Sequence, residues 1–222
     1  MKAEKNPKLA IFETFKTKQD KRTGEANRQR SIIAHLSTST NSAAKTRTAI
    51  SRRIADDHGV IWKNIYSGIF RDLDEVLLPL GIVKEGGRLP LKRGPKALQE
   101  QGVPFYELTV EGLLIALSLN EISEKENILH QFLSKAKIEE KELQESLQKL
   151  AKIIPKFTYY LFEKYSKAYC DGKIEKLLPF SLANLKKISD ESIIIQREFL
   201  EAFGNFSNKD KEKTLNFLRK IS

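Results

Sequence analysis

Between residues 61 and 81 apolar side chains return at three- and four-residue steps: Trp62, Ile65, Ile69, Leu73, Val76, Leu77 and Leu80. That spacing gathers them into one stripe along a helix, and a helix with such a stripe has to lay it against something else. Pro79 disfavours helical backbone in the residue before it and Gly81 suits a C-terminal cap, so the helix is expected to end there. Gly81-Ile82-Val83-Lys84 then starts a strand, and Pro104-Phe105-Tyr106-Glu107-Leu108 alternates as a returning one. Between them, residues 85–103 set Arg88, Lys92, Arg93 and Lys96 among prolines and glycines too numerous for a helix. The expected unit is a helix followed by a β-hairpin with a charged tip.

The residues before it supply two more helices. Residues 25–36 form the first, with Ile32, Ile33 and Leu36 inward, and residues 37–42 are a polar loop rich in helix-capping types. Residues 43–57 form the second, with Ala43, Thr46, Ala49, Ile50 and Ile54 inward and Arg47, Ser51, Arg52 and Arg53 on other faces. Asp57-His58-Gly59-Val60 is a tight turn of helix-turn-helix length and glycine content. The pattern L-x-x-x-G-I-V over residues 77–83, followed by Y-x-L-T-x-x-G over 106–112, resembles archaeal and bacterial winged helix-turn-helix DNA-binding domains. The resemblance spans roughly residues 27–120. It implies that the striped helix is the recognition helix, that the hairpin is the wing, and that L-T-x-x-G opens the next helix.

With the stripe buried, Lys63, Asn64, Ser67, Gly68 and Arg71 fall on the outer side, where recognition helices meet base edges. Asn64 suits adenine, Lys63 or Arg71 suits guanine, and Ser67 suits base or phosphate. Gly68 is costly in mid-helix, which points to close approach by another backbone or by DNA. Asp72, Asp74 and Glu75 would repel phosphates and confine contact to the first part of the helix. Arg47, Arg52 and Arg53 are expected phosphate contacts. The wing cations Arg88, Lys92, Arg93 and Lys96 are expected beside the duplex backbone or in a narrow minor groove. Taken singly, each polar residue reads equally as a solvated helix face, and the wing tip as a charged disordered loop.

Charge favours the collective reading. Residues 1–104 hold 20 Lys and Arg against 11 Asp and Glu, whereas residues 105–222 hold 19 against 18. Nearly all of the formal +10 therefore lies in the half with the helix-turn-helix pattern, as phosphate contact requires. At the N-terminus, Leu9, Ile11, Phe12 and Phe15 suit a short helix after Pro7, packed on the body or on a second subunit. Residues 16–22 read either as a basic arm or as a mobile polar linker. The first residues lack a signal-peptide apolar region, no apolar run nears the roughly 20 residues of a bilayer span, and there is one cysteine, Cys170. A cytoplasmic, nucleoid-associated protein is expected.

After Thr109, a plausible N-cap, the chain is helical throughout. Val110, Leu113, Leu114, Ala116, Leu117 and Leu119 make an apolar helix, and Ser123-Glu-Lys-Glu126 reads as a capping box for the next. Helices follow over 138–154, 155–170, 174–188, 191–203 and 207–221. The 155–170 helix carries Phe157, Tyr159, Tyr160, Phe162, Tyr165 and Tyr169 on more than one face, so some should be core and some should meet a partner subunit or another helix pair. His35, His58 and His130 are scattered and phosphate-loop or dinucleotide motifs are absent, so neither an enzyme, a metal nor a cofactor is expected.

The fold class is mainly α with a small β-hairpin wing. A winged helix-turn-helix domain with an N-terminal extension occupies residues 1–120, and an all-helical dimerisation or interaction region occupies 121–222. The expected function is double-stranded DNA binding by a site-specific transcriptional regulator acting as a homodimer. Two alternatives stand beside it: a non-specific chromatin or replication-associated DNA-binding protein, and a scaffold whose winged helix binds a protein partner.

Overall fold

Two threonines open the first two helices by the same device. Thr23 Oγ1 accepts from the Ala26 N–H at 3.1 Å to start α1 (Gly24–Thr38), and Thr46 Oγ1 accepts from the Ala49 N–H at 3.4 Å to start α2 (Arg47–Asp57). A computed structural model describes residues 7–90 and 102–221. The described chain is mainly helical, with ten α-helices and two small antiparallel hairpins. α3 (Trp62–Arg71) runs on into a wide π turn over Asp72–Leu77, in which the Leu78 N–H reaches five residues back to the Leu73 carbonyl. The stripe survives this widening: Ile69, Leu73, Val76 and Leu77 are buried. Gly81, at φ +68°, ends the segment as expected.

β3 (Val83–Leu89) and β4 (Val103–Leu108) pair from Val83 opposite Leu108 to Leu89 opposite Val103. The strand thus continues well past residue 84, where the sequence pointed to a loop. Gly86 and Gly87 sit at a bulge and are crossed by side chains of β4: a Cβ on Gly86 would lie 2.6 Å from Glu107 Cγ and 2.7 Å from the Phe105 ring. Here glycine admits a neighbour rather than breaking the strand.

Both halves of the sequence pattern meet at the base of this hairpin. The Thr109 hydroxyl donates to the Gly81 carbonyl at 2.5 Å and accepts from the Gly112 N–H at 3.1 Å, while the Thr109 N–H donates to the Ile82 carbonyl at 3.1 Å. Thr109 therefore caps α4 (Val110–Leu117) and closes the hairpin at once. A Cβ on Gly112 would stand 2.1 Å from the Ile82 carbonyl oxygen, so only glycine lets the helix back onto the strand.

The N-terminal segment differs from expectation. Residues 7–13 are not helical, and β1 (Thr14–Phe15) pairs antiparallel with β2 (Lys18–Arg22), so residues 16–22 are neither arm nor linker. α1 supplies the reason. Gln29 Oε1 accepts from the Ala10 N–H at 2.8 Å and Arg30 donates to the Ile11 carbonyl at 3.2 Å, taking up backbone groups that a helix would have used. Leu9, Ala10 and Ile11 are buried beneath.

Further on, α5 (Lys125–Lys135), α6 (Lys141–Ile153) and α7 (Pro155–Cys170) follow α4. α5 begins one residue later than a Ser123 cap requires, and it has no side-chain cap. The inner aromatics of α7 are core. Phe162 stacks on Phe180 with centroids 5.4 Å apart, Phe132 stands edge-on to both, and Tyr165 lies 4.9 Å from Phe180 and donates to the Leu177 carbonyl. To deliver Ile174, Leu177 and Phe180 there, the chain after α7 takes an irregular path, and the helix expected over 174–188 is only α8 (Leu182–Ile188).

Compact units divide at a place the sequence did not mark. Met1–Leu182 is one and Ala183–Ser222, with α9 (Glu191–Gly204) and α10 (Asn208–Ile221), is the other. Residue 120 lies inside the first, where buried Arg30 reaches across to Glu121 at 2.5 and 2.7 Å and Arg22 joins it at 3.1 Å. Burial alone would raise the Glu121 carboxyl, but the hydrogen bond and charge of Arg30, with the charge of Arg22, outweigh it and hold the group below the usual carboxylate range. A carboxyl depressed on folding contributes stability that is present above its unfolded pKa, about 4.3, and lost as pH falls through the folded value. Urea unfolding between neutral pH and about pH 3 should show a shallower acid loss in Glu121→Gln than in the parent. Parallel pH profiles would mean that the contact is energetically silent.

Candidate nucleic-acid interface

The turn between α2 and α3 is built for brevity. His58 caps α2 with its N–H on the Ile54 carbonyl at 3.1 Å, Gly59 takes φ +63°, and the Val60 N–H returns to the Ala55 carbonyl at 3.0 Å. Ile61 precedes α3 with no side-chain cap, and it is 67% exposed. The first amides of α3 are thus left without a side-chain acceptor at the positive end of the helix dipole. Along α3, Lys63, Asn64, Ser67 and Arg71 are all exposed, and their spacing sets them on one face. They lie on the side away from the apolar stripe, as expected. The Trp62 side chain lies outside what the structure describes, as do Lys92, Arg93 and Lys96.

Gly68 is a different matter. What approaches it is neither backbone nor open space for DNA but the Arg28 side chain from α1: a Cβ on Gly68 would lie 2.8 Å from Arg28 Nε. Through that gap Arg28 Nε donates to Asp72 Oδ2 at 2.6 Å, and Asp72 is completely buried. Asp72 is therefore no source of repulsion toward phosphate; its charge is matched inside the fold, with Arg71 a further 3.7 Å away.

Asp74 is matched too, by Arg47. The Arg47 guanidinium lies 5.1 Å from the Phe70 centroid and 5.3 Å from that of Tyr106, so one side chain joins the start of α2, the end of α3 and β4. Arg47, expected on phosphate, is thus half-buried and engaged elsewhere, because α2 begins beside the hairpin, where Thr46 bridges to Phe105. The Tyr106 phenol is pushed up by its burial, against the opposing charge of Arg47. Only Glu75 of the three acids stays exposed.

The other expected phosphate ligands stay outside. Arg52 and Arg53 are exposed on α2, Arg53 with Asp57 at 3.2 Å. Arg88 is exposed in β3, 2.7 Å from Glu85. Such surface pairs are worth about 0–1 kcal/mol and yield readily to a stronger anion. His35 Nε2 lies 2.9 Å from the Ala44 carbonyl, and the Cys170 thiol is pushed up to about 12 by burial. Among the described residues no three His, Cys, Asp or Glu side chains converge, and no helix is long and apolar enough to cross a membrane. No family model matches the chain, and no curated protein or solved structure does either.

Sequence reasoning missed Arg28, the burial of Asp72 and the pairing of Asp74 with Arg47. The signal was present in Gly68, a mid-helix glycine whose gap required an occupant. Gly→Ala in a helix ordinarily stabilises by about 1 kcal/mol. Gly68→Ala should instead destabilise, by about 1–3 kcal/mol, because it dislodges Arg28 from a buried carboxylate. In an Arg28→Ala background the same change should become neutral or favourable, as a double-mutant cycle in urea would register; equal effects in both backgrounds would contradict the contact.

Proposed function

We propose that the chain binds double-stranded DNA as a winged helix-turn-helix protein, with α3 in the major groove and the β3–β4 hairpin as the wing, and that it is a site-specific transcriptional regulator acting as a dimer. The observation that carries this reading is the sorting of charge along α3 and the turn after it. Lys63, Asn64, Ser67 and Arg71 share the open face, while Asp72 and Asp74 are paired with Arg28 and Arg47. The open face can thus approach a polyanion without two of the three nearby acids opposing it. The excess of cations in residues 1–104 supports the same partner.

Roles divide by chemistry. Asn64 offers a bidentate amide for adenine, and Lys63 and Arg71 offer donors for guanine. Arg52, Arg53 and Arg88 supply phosphate contacts together with Lys92, Arg93 and Lys96, and these fix register and affinity rather than sequence. Arg47 holds the hairpin against α3 and makes no phosphate contact. Binding at a promoter would act by occlusion or recruitment.

Fluorescence-polarisation titration against the gene's own upstream duplex and a scrambled one, at two salt concentrations, tests the reading. Tighter binding to the upstream duplex that persists at the higher salt is expected. Equal affinities that collapse together with salt would select the chromatin reading, and no binding would select a protein partner. Asn64→Ala should relax preference at a single base pair by about 1–3 kcal/mol; a uniform loss over all sequences would exclude base readout. Neutralising Lys92, Arg93 and Lys96 together should weaken every duplex and reduce the slope of log affinity against log salt by up to about 3. An unchanged slope would remove the wing from the contact.

A further inference from the structure

Among its described residues the second compact unit has almost no interior. No residue of α9 is buried, and Ile195, Phe199, Leu200, Phe206, Leu215 and Phe217 are 37–60% exposed. Each helix is 14 residues long, a length at which helices without tertiary support are marginal in water. Side chains of this kind present on the order of 200 Å² each, so those six leave roughly 600 Å² of apolar surface in water, at the upper limit of what monomers tolerate. Such a surface needs a cover.

We propose that α9 and α10 are the interface with a second copy of this chain. Two such surfaces brought together would bury at most about 1,200 Å² of these side chains, the lower end of a stable specific interface, before any polar rim is counted. Charge argues for self-association over capture of a strongly charged partner. Residues 183–222 hold 8 Lys and Arg against 6 Asp and Glu, and the signs alternate: Lys209, Lys211 and Lys213 with Asp210 and Glu212 between them. Arg197 already lies 3.7 Å from Glu201. A surface with both signs interspersed among exposed apolar side chains can be its own complement under a two-fold axis. Four such helices, two from each chain, enclose an interior that two cannot. The inner aromatics of α7, the sequence's other candidate for subunit contact, are spent: Phe162 and Tyr165 are inside the first unit.

The inference places the dimer of the proposed regulator and rests on that reading for its biological purpose alone. Sedimentation velocity of the full chain over a concentration series should give twice the 25.4 kDa of the monomer. Ile195→Glu, Leu200→Glu and Phe217→Glu, all at exposed positions, should each weaken self-association at least tenfold and together leave a monomer. The urea transition of the first unit should not move; if it does, Leu215→Lys replaces them. A parent monomeric at every concentration, or a dimer indifferent to these substitutions, would overturn the proposal. Titrating the same samples with duplex separates the two ideas. A dimer that ignores DNA sinks the function and leaves the interface, and a monomer that binds DNA sinks the interface and the dimer while leaving DNA binding in place.

Discussion

Arg30 is a cation almost wholly removed from water, and three stretches of the first unit are tied together by the demands this makes. A guanidinium in that position must find acceptors for its donors or cost several kcal/mol. It finds the Ile11 carbonyl, both oxygens of Glu121 and, 5.9 Å away, the face of Phe12. These groups come from the N-terminal segment and from the link between α4 and α5, neither of which is adjacent to α1 in sequence. One side chain therefore fixes three stretches, and it explains why no boundary of the fold falls near residue 120. Because Glu121 keeps one side in solvent, the pair escapes the full desolvation penalty of an enclosed salt bridge.

The same chemistry is repeated twice nearby with a different result. Arg28 holds Asp72 inside the fold and Arg47 pairs with Asp74, and the face of α3 is what remains. A cation in α1, α2 or α3 thus has one of two tasks, holding the fold together or facing outward. Arg28, Arg30 and Arg47 do the first; Lys63, Arg53 and Arg71 are in position for the second.

How much of this could be read beforehand depended on the range of the interaction. The α2–α3 turn, the Thr109 cap, the full extent of α7 and the exposed set on α3 are set by residues a few positions apart, and they were legible. The mainly helical composition was legible for the same reason. The β1–β2 hairpin was not, since it depends on Gln29 and Arg30 taking the backbone of Ala10 and Ile11, 19 residues away. Arg47 looked like a phosphate ligand because charge alone cannot tell which arginine has an aspartate 27 residues later turned toward it. Residues 174–181 carry apolar spacing that fits a helix, yet Phe180 is claimed by an aromatic cluster whose other members come from α5 and α7.

The bareness of α9 and α10 also bears on lifetime. Backbone hydrogen bonds that nothing covers open by local fluctuation at little cost, far below the free energy that unfolds a core. In an isolated chain, α9 and α10 would exchange their amide hydrogens before the buried helices of the first unit and would be open to proteases. A copy left without a cover would be shortened from its C-terminal end while the rest of the molecule stayed folded. The chain's abundance would then help to decide how much of it survives at full length.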